Sequence, residues 1–196
     1  MPERVIRNGR VESDAWRFVD PPAYVKKGES YAVKKEDQLP VTVSDPAALE
    51  GGWGEGAIIV SLGTWKAHRD ELLARGAPVG VWLKADDEPG DLAADLDRLP
   101  LIAVHFNKFT DGRGYSTAAL LRRKHAYRGE LRAFGDVGRD QLFYLARVGF
   151  DSFRLADHRD PEDALASFGD FSLTYQGSID DPVPLFRKRL AAGSAR

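Results

Sequence analysis

Two short segments hold most of the residues that could do chemistry. Asn107-Lys108-Phe109-Thr110-Asp111-Gly112-Arg113-Gly114-Tyr115-Ser116 follows the apolar run from Leu101 to Phe106, and Gly135-Asp136-Val137-Gly138-Arg139-Asp140-Gln141 follows the run that ends at Phe134. Each carries glycines, an acid and an arginine into the start of a helix. Glycine permits positive φ and close backbone approach, and unpaired amides at a helix start carry partial positive charge. Arg113 adds a planar, two-pronged donor suited to phosphate, sulfate or carboxylate. The pattern suits a bound anion, held by Thr110, Gly112, Arg113, Gly114 and Ser116, with charge from Arg132 and Arg139. His105 closes its strand at the same edge and is the candidate general acid or base, with Asp111 and Asp136 as further proton carriers. A plainer reading fits too, because acids and hydroxyls before a helix are ordinary caps. "GRG" is neither a Walker loop nor a Rossmann glycine signature.

The other polar residues point to fewer roles. Glu130 and Arg132 share one side of a strand, and a charge there needs a partner; Glu130, Asp136 and Asp111 are the candidates. Tyr115 and Tyr144 are expected in the core. The basic run from Leu120 to His125 falls at a helix C-terminus, where cations suit the dipole and solvent. His68, His125 and His158 lack metal-ligand spacing and are expected at the surface, so no metal site is expected. No Ser–His–Asp order appears.

The elements that would position these groups emerge from the apolar runs. "AIIVSL", "VGVWL", "LIAVHF", "ELRAFG" and "SFRLA" are strand candidates, and "FSLTYQ" is a further one. Helical segments lie between them. Thr64 can cap "WKAHRDELLAR" with Gly76 closing it, Leu92, Leu96 and Leu99 mark a helix face, and "RDQLFYLARVG" ends at Gly149. Asp160-Pro161-Glu162 is a well-formed helix start. Strands alternating with helices imply parallel strands and right-handed crossovers. An incomplete (βα) barrel is favoured over an open doubly wound sheet, because a barrel mouth can hold Glu130 and Arg132. In either case the loops after the strands meet at one edge, where ligands bind.

The first part of the chain differs. Asn8-Gly9 between alternating segments is a hairpin signal, and "WRFVD" can add a strand before Pro21-Pro22. Residues 20–40 read as an exposed, Lys-rich connection, and "SDPAALEGG" as one or two helical turns. The expected division is an extension over 1–52 and an α/β domain over 53–196.

The totals bound the function. With 196 residues, 43% hydrophobic and 30% charged, the chain suits a soluble globular protein. A net charge of −2 argues against duplex binding. There are no cysteines, which removes disulfides, thiolate clusters and a thiol nucleophile. The N-terminus lacks a signal-peptide core and no run approaches a membrane span, so a cytoplasmic location is expected.

The segment from Leu99 to Leu155, with its blocks "FTDGRGYS", "GELRA", "GDV", "RDQLFY" and "GFDSF", resembles the bacterial family known as domain of unknown function 934. "GVWLKADDEPGDLAADLDRLPLIA" extends the likeness upstream. Relatives commonly carry proline where Asn107 stands and cysteine where Val148 stands. Such proteins are usually labelled oxidoreductases of sulfite reduction, because their genes accompany those for sulfite reductase. The resemblance implies a role in sulfur assimilation and names no cofactor. Three functions fit. The first is an accessory protein of sulfite or sulfate reduction that binds an anion or a partner such as the sulfite reductase haemoprotein. The second is an enzyme acting on a phosphate- or sulfate-bearing substrate. The third is an oxidoreductase with an unconventional flavin or nicotinamide site.

Overall fold

The computed structural model describes residues 4–20, 25–27, 30–32, 52–156 and 158–193. The hairpin forms as its turn chemistry requires. Asn8 and Gly9 both take positive φ, 51° and 73°, and join strand β1 (Arg4–Arg7) to β2 (Arg10–Ser13). Strand β3 (Arg17–Phe18) follows. A separate two-stranded pair, β4 (Val25–Lys27) and β5 (Ser30–Ala32), occupies part of what was expected to be plain connection. The helical turns expected in "SDPAALEGG" lie outside the described residues.

The parallel strands are β6 (Ile58–Ser61), β7 (Val79–Leu83), β8 (Leu101–Phe106), β9 (Glu130–Gly135) and β10 (Ser152–Arg154). With the first three strands they make one eight-stranded sheet in the order β2-β1-β10-β9-β8-β7-β6-β3. Pairing is parallel from β3 to β10, and β1 adds antiparallel to the β10 edge through Ile6↔Phe153 and Arg7↔Ser152. The N-terminal strands are thus part of the main sheet, with Val5 and Ile6 fully buried.

Connectivity forces the sheet to curl. β2 and β3 lie at opposite edges, yet only Asp14, Ala15 and Trp16 join them. Four Cα–Cα steps span at most about 14 Å, whereas eight flat strands would be roughly 34 Å wide. The result is a half-barrel, the incomplete-barrel form of the α/β class.

Strands β6, β7 and β8 are buried on both faces, as expected for strands that read as unbroken apolar runs. On β8, Ile102, Val104 and Phe106 face the helices, while Leu101 and Ala103 face the hollow. Ile59, Trp82 and Phe134 join that inner cluster. Among the described residues, Trp16 and Phe18 pack against it, and no helix does. This distinguishes the fold from a doubly wound sheet.

Helices α1 (Leu62–Ala74), α2 (Arg113–Arg123) and α3 (Arg139–Arg147) return the chain between strands. Short α4 (Pro161–Ala164) and α5 (Leu185–Gly193) follow β10. α1 starts two residues before Thr64, because Ser61 Oγ caps it by accepting from Thr64 N at 3.1 Å. Leu92, Leu96 and Leu99 are buried as expected, but in place of an α-helix two 3₁₀ turns, Pro89–Leu92 and Leu96–Arg98, carry the first two, and Leu99 follows the second turn in extended backbone. "FSLTYQ" is not a strand. Both edges of the parallel run are already taken, by β1 beside β10 and by β3 beside β6, and Phe171, Leu173 and Tyr175 stay exposed.

Candidate functional site

The two glycine-bearing loops meet at the rim of the half-barrel. Gly135 has φ 102°, and a Cβ there would lie 2.5 Å from Phe106 O, so only glycine fits. Past it, Asp136 N donates to Phe106 O at 2.8 Å. The Asp136 carboxylate accepts from Phe109 N at 3.0 Å, and Gln141 Nε2 donates to Phe109 O at 3.3 Å. Gly138 N donates to Gln141 Oε1 at 2.8 Å, which caps α3. Asp136 is therefore a tie between loops.

The guanidinium groups do not converge. Arg113 Nε lies 2.9 Å from Asp111 Oδ1 and its Nη2 2.6 Å from Asp111 Oδ2, while Nη1 meets Asp86. These bonds hold the Asp111 carboxyl below the usual carboxylate range and raise Arg113 above its own. Arg139 reaches Asp170 at 3.4 Å. Thr110, Gly112 and Ser116 are exposed around the first turn of α2. Gly114 is buried, and a Cβ on it would lie 2.6 Å from Phe106 Cζ, so this glycine lets α2 settle on the Phe106 ring.

Arg132 and His105 belong to the hollow instead. Arg132 is fully buried, with Nη1 2.7 Å from Asp14 Oδ2, Nη2 2.8 Å from Glu130 Oε1 and Nε 3.1 Å from Ser152 Oγ. Glu130 was an expected partner; Asp136 and Asp111 were not taken up, and Asp14 was missed. Burial opposes ionisation of Glu130 most strongly, yet Arg132, Ser152 and Arg7 together bring its pKa below the ordinary value. His105 packs between Trp82 and Phe134, with ring centroids 5.9 and 5.1 Å away. Burial pulls its pKa down to about 4, against the opposing pull of Asp111, so the ring is neutral near pH 7. Near it, Asp20 accepts from Ser61 N at 2.7 Å and from Thr64 Oγ1 at 2.5 Å, and burial raises its pKa.

Outside the hollow, an open groove of about 520 Å³ runs between the first turn of α2 and the side of α3. Phe109, Thr110, Gly112 and Tyr115 form one wall, and Asp140, Gln141, Tyr144, Arg147 and Val148 form the other, with Ser178 at one end. Tyr115 packs edge-on against Phe106 at 5.8 Å, as its expected core role requires. Tyr144 does not: it is 50% exposed and forms an outer aromatic group with Phe143 and Phe171 at 5.3 and 6.1 Å. A signal for this existed, since Leu142, Leu145 and Ala146 already supply the inward face of α3 and leave Tyr144 off it.

Two further residues are less exposed than their sequence context implies. Arg122, expected in solvent within its basic run, is mostly buried. It donates to Gly149 O, Tyr127 O and Gly129 O at 2.8–2.9 Å and pairs with Asp151 at 2.7 Å. His68, expected at the surface, sits edge-on to Trp53 at 5.5 Å and 3.4 Å from Glu71.

Among the described residues no group of three or more His, Asp or Glu side chains could hold a metal ion. No described helix is long and apolar enough to cross a membrane. Fold and rim define a parallel α/β half-barrel whose two post-strand loops are locked to each other beside an aromatic groove. The chain belongs to the family of bacterial proteins of unknown function DUF934, whose model matches residues 80–186 and so spans β7 to the start of α5. No curated protein matches the chain.

Proposed function

We propose that this protein is a cytoplasmic accessory protein of assimilatory sulfite or sulfate reduction, and that it acts by binding a partner, with the sulfite reductase haemoprotein as the first candidate. The pathway rests on the family resemblance. One observation carries the binding role: among the described residues, six of the nine large apolar side chains that remain exposed lie between Phe171 and Leu190, and Phe171 meets Tyr144, which lines the groove together with Phe109. Exposed apolar surface concentrated in this way marks an interaction site. Meanwhile Arg113, Arg132 and Arg139 already face carboxylates. Deletion of the gene tests the pathway: growth restored by sulfide, and not by sulfite or sulfate, supports it, and normal growth on sulfate refutes it. Stoichiometric co-purification with the haemoprotein tests the partner.

A second reading keeps an anion at the loops, and the joint exposure of Thr110, Gly112, Arg113 and Ser116 favours it. Here a sulfite, sulfate or phosphate group would compete with Asp111 and Asp86 for Arg113. Thermal shifts with each anion, abolished by Arg113→Ala, would support this reading. Flavin absorbance in the purified protein would redirect it toward an oxidoreductase.

A further inference from the structure

Helix α5 places three consecutive cations, Arg187, Lys188 and Arg189, between Phe186 and Leu190. At about 3.6 residues per turn, Phe186 and Leu190 share one stripe, and Arg187 and Arg189 fall on its two flanks. Phe186 is 52% exposed and Leu190 67%. Lys188 bonds Asp181 on another side of the helix, and Asp180 is engaged by Arg147. Neither Arg187 nor Arg189 forms an ion pair among the described residues; the Arg187 guanidinium lies 5.9 Å from the Phe186 ring centroid. The helix therefore offers an apolar ridge between two uncompensated positive charges, on a chain whose net charge is −2.

From this we infer that α5 is the docking element for the partner protein, and that the partner surface is an apolar groove rimmed by carboxylates. The inference rests on the partner-binding reading above and specifies its chemistry. An apolar ridge alone would fit any greasy surface; the two arginines set the sign of the partner's rim and the register of docking. Two apolar side chains on a nine-residue helix give little to insert into a bilayer, which favours a protein groove over a lipid surface.

The test uses the full chain and the sulfite reductase haemoprotein, with affinity measured at low and high salt. Arg187→Glu/Arg189→Glu should lower affinity by at least about tenfold and flatten its salt dependence. Phe186→Ser/Leu190→Ser should weaken binding while keeping the salt dependence. Both variants should keep the wild-type circular dichroism and Tm, since these side chains are exposed. Wild-type protein that does not bind the haemoprotein refutes the partner reading itself. Wild-type protein that binds while both variants bind equally well refutes the role of α5 alone. Sedimentation showing that α5 drives self-association, or α5-dependent capture by phosphatidylserine vesicles, would also overturn the assignment of α5 to a protein groove.

Discussion

The hollow of the half-barrel and its outer C-terminal face treat polar and apolar groups in opposite ways. Inside, Arg132 is closed off by Asp14, Glu130 and Ser152, and Trp16 and Phe18 cover the apolar floor. Phe18 stacks 4.8 Å from Phe134 and lies under Arg154 at 5.2 Å. Outside, Tyr144, Phe171, Tyr175 and Phe186 remain half exposed or more. Barrels of this class usually place ligands at the hollow's mouth. Here Asp14, Trp16, Phe18 and Asp20 occupy much of the inner face, and the exposed aromatic side chains lie outside it. Buried charge in this protein is paired and closed off, whereas the outer aromatic side chains stay accessible.

The sharpest way to break that contrast is to unseat the inner lock. Arg132→Met leaves the Asp14 carboxylate buried without its cation and Glu130 with only Arg7 nearby. Removal of one partner from a buried pair costs about 3–5 kcal/mol. Urea unfolding should show that loss as a lower midpoint at unchanged m-value. Asp14→Asn combined with Arg132→Met should recover part of it, because the stranded charge is gone. Wild-type stability in Arg132→Met would mean that the lock is ornamental and that the hollow is open to other roles.

A pH titration probes the same region through His105. Its pKa in the fold is about 4, below the ordinary imidazole value near 6.5. The unfolded chain therefore binds the proton first as pH falls. This group's contribution is complete above about pH 6.5, declines between about 6.5 and 4, and levels off below that. The full loss corresponds to about 3 kcal/mol. His105→Gln should flatten the slope of stability against pH in this window. Raised pKa values at Asp20, Asp87 and Asp151 act in the opposite direction, so the difference between wild type and variant is the quantity to measure. Identical slopes would mean that the ring is not held neutral by burial between Trp82 and Phe134.

These two residues also show how far the sequence could be read. His105 is the fifth residue of a six-residue, mostly apolar run, so its strand and the parallel neighbours on either side were legible from the apolar pattern alone. Arg132 was legible as a buried charge in need of a partner, and Glu130 two residues away was found. Asp14 was not, because it lies 118 residues from Arg132 and no local pattern links them. Antiparallel addition of β1 to β10 was hidden for the same reason: a hairpin signal states that two strands pair, not which edge they join. The loops were located by glycine content, and Asp111, two residues from Arg113, was within local reach, but the further partners Asp86 of Arg113 and Asp170 of Arg139 are distant in sequence. "FSLTYQ" alternates like a strand, but alternation cannot reveal that the neighbouring sheet edges are occupied.

A smaller effect tests the seam between hollow and outer face. Gly114→Ala should gain about 1 kcal/mol in helix propensity. Against this, its new methyl would meet the Phe106 ring, whose Cζ lies 2.6 Å from the Cβ position. Overpacking of this kind costs roughly 1–3 kcal/mol. Phe106 is wedged among Tyr115 and Phe150, so it has little freedom to yield. Net destabilisation is expected, read as a lower Tm. A stabilised variant would show that α2 is held at the rim by its loop bonds alone, with Phe106 free to move aside.

The smallest stability effect should come from the outer face, and that is its diagnostic value. Tyr144→Ala removes a ring that touches Phe143 and Phe171 but is half exposed. Exposed substitutions away from caps and networks usually fall within about 0.5 kcal/mol. If this side of the protein exists for recognition, partner binding should fall at least tenfold while the urea midpoint barely moves, as for an aromatic anchor at an interface. A fall in stability comparable to that of Gly114→Ala would instead make Tyr144 a packing residue, since its ring would then be holding the segment around Phe171 against α3. The two measurements on one variant separate these roles, because a packing residue loses stability first and a recognition residue loses only its partner.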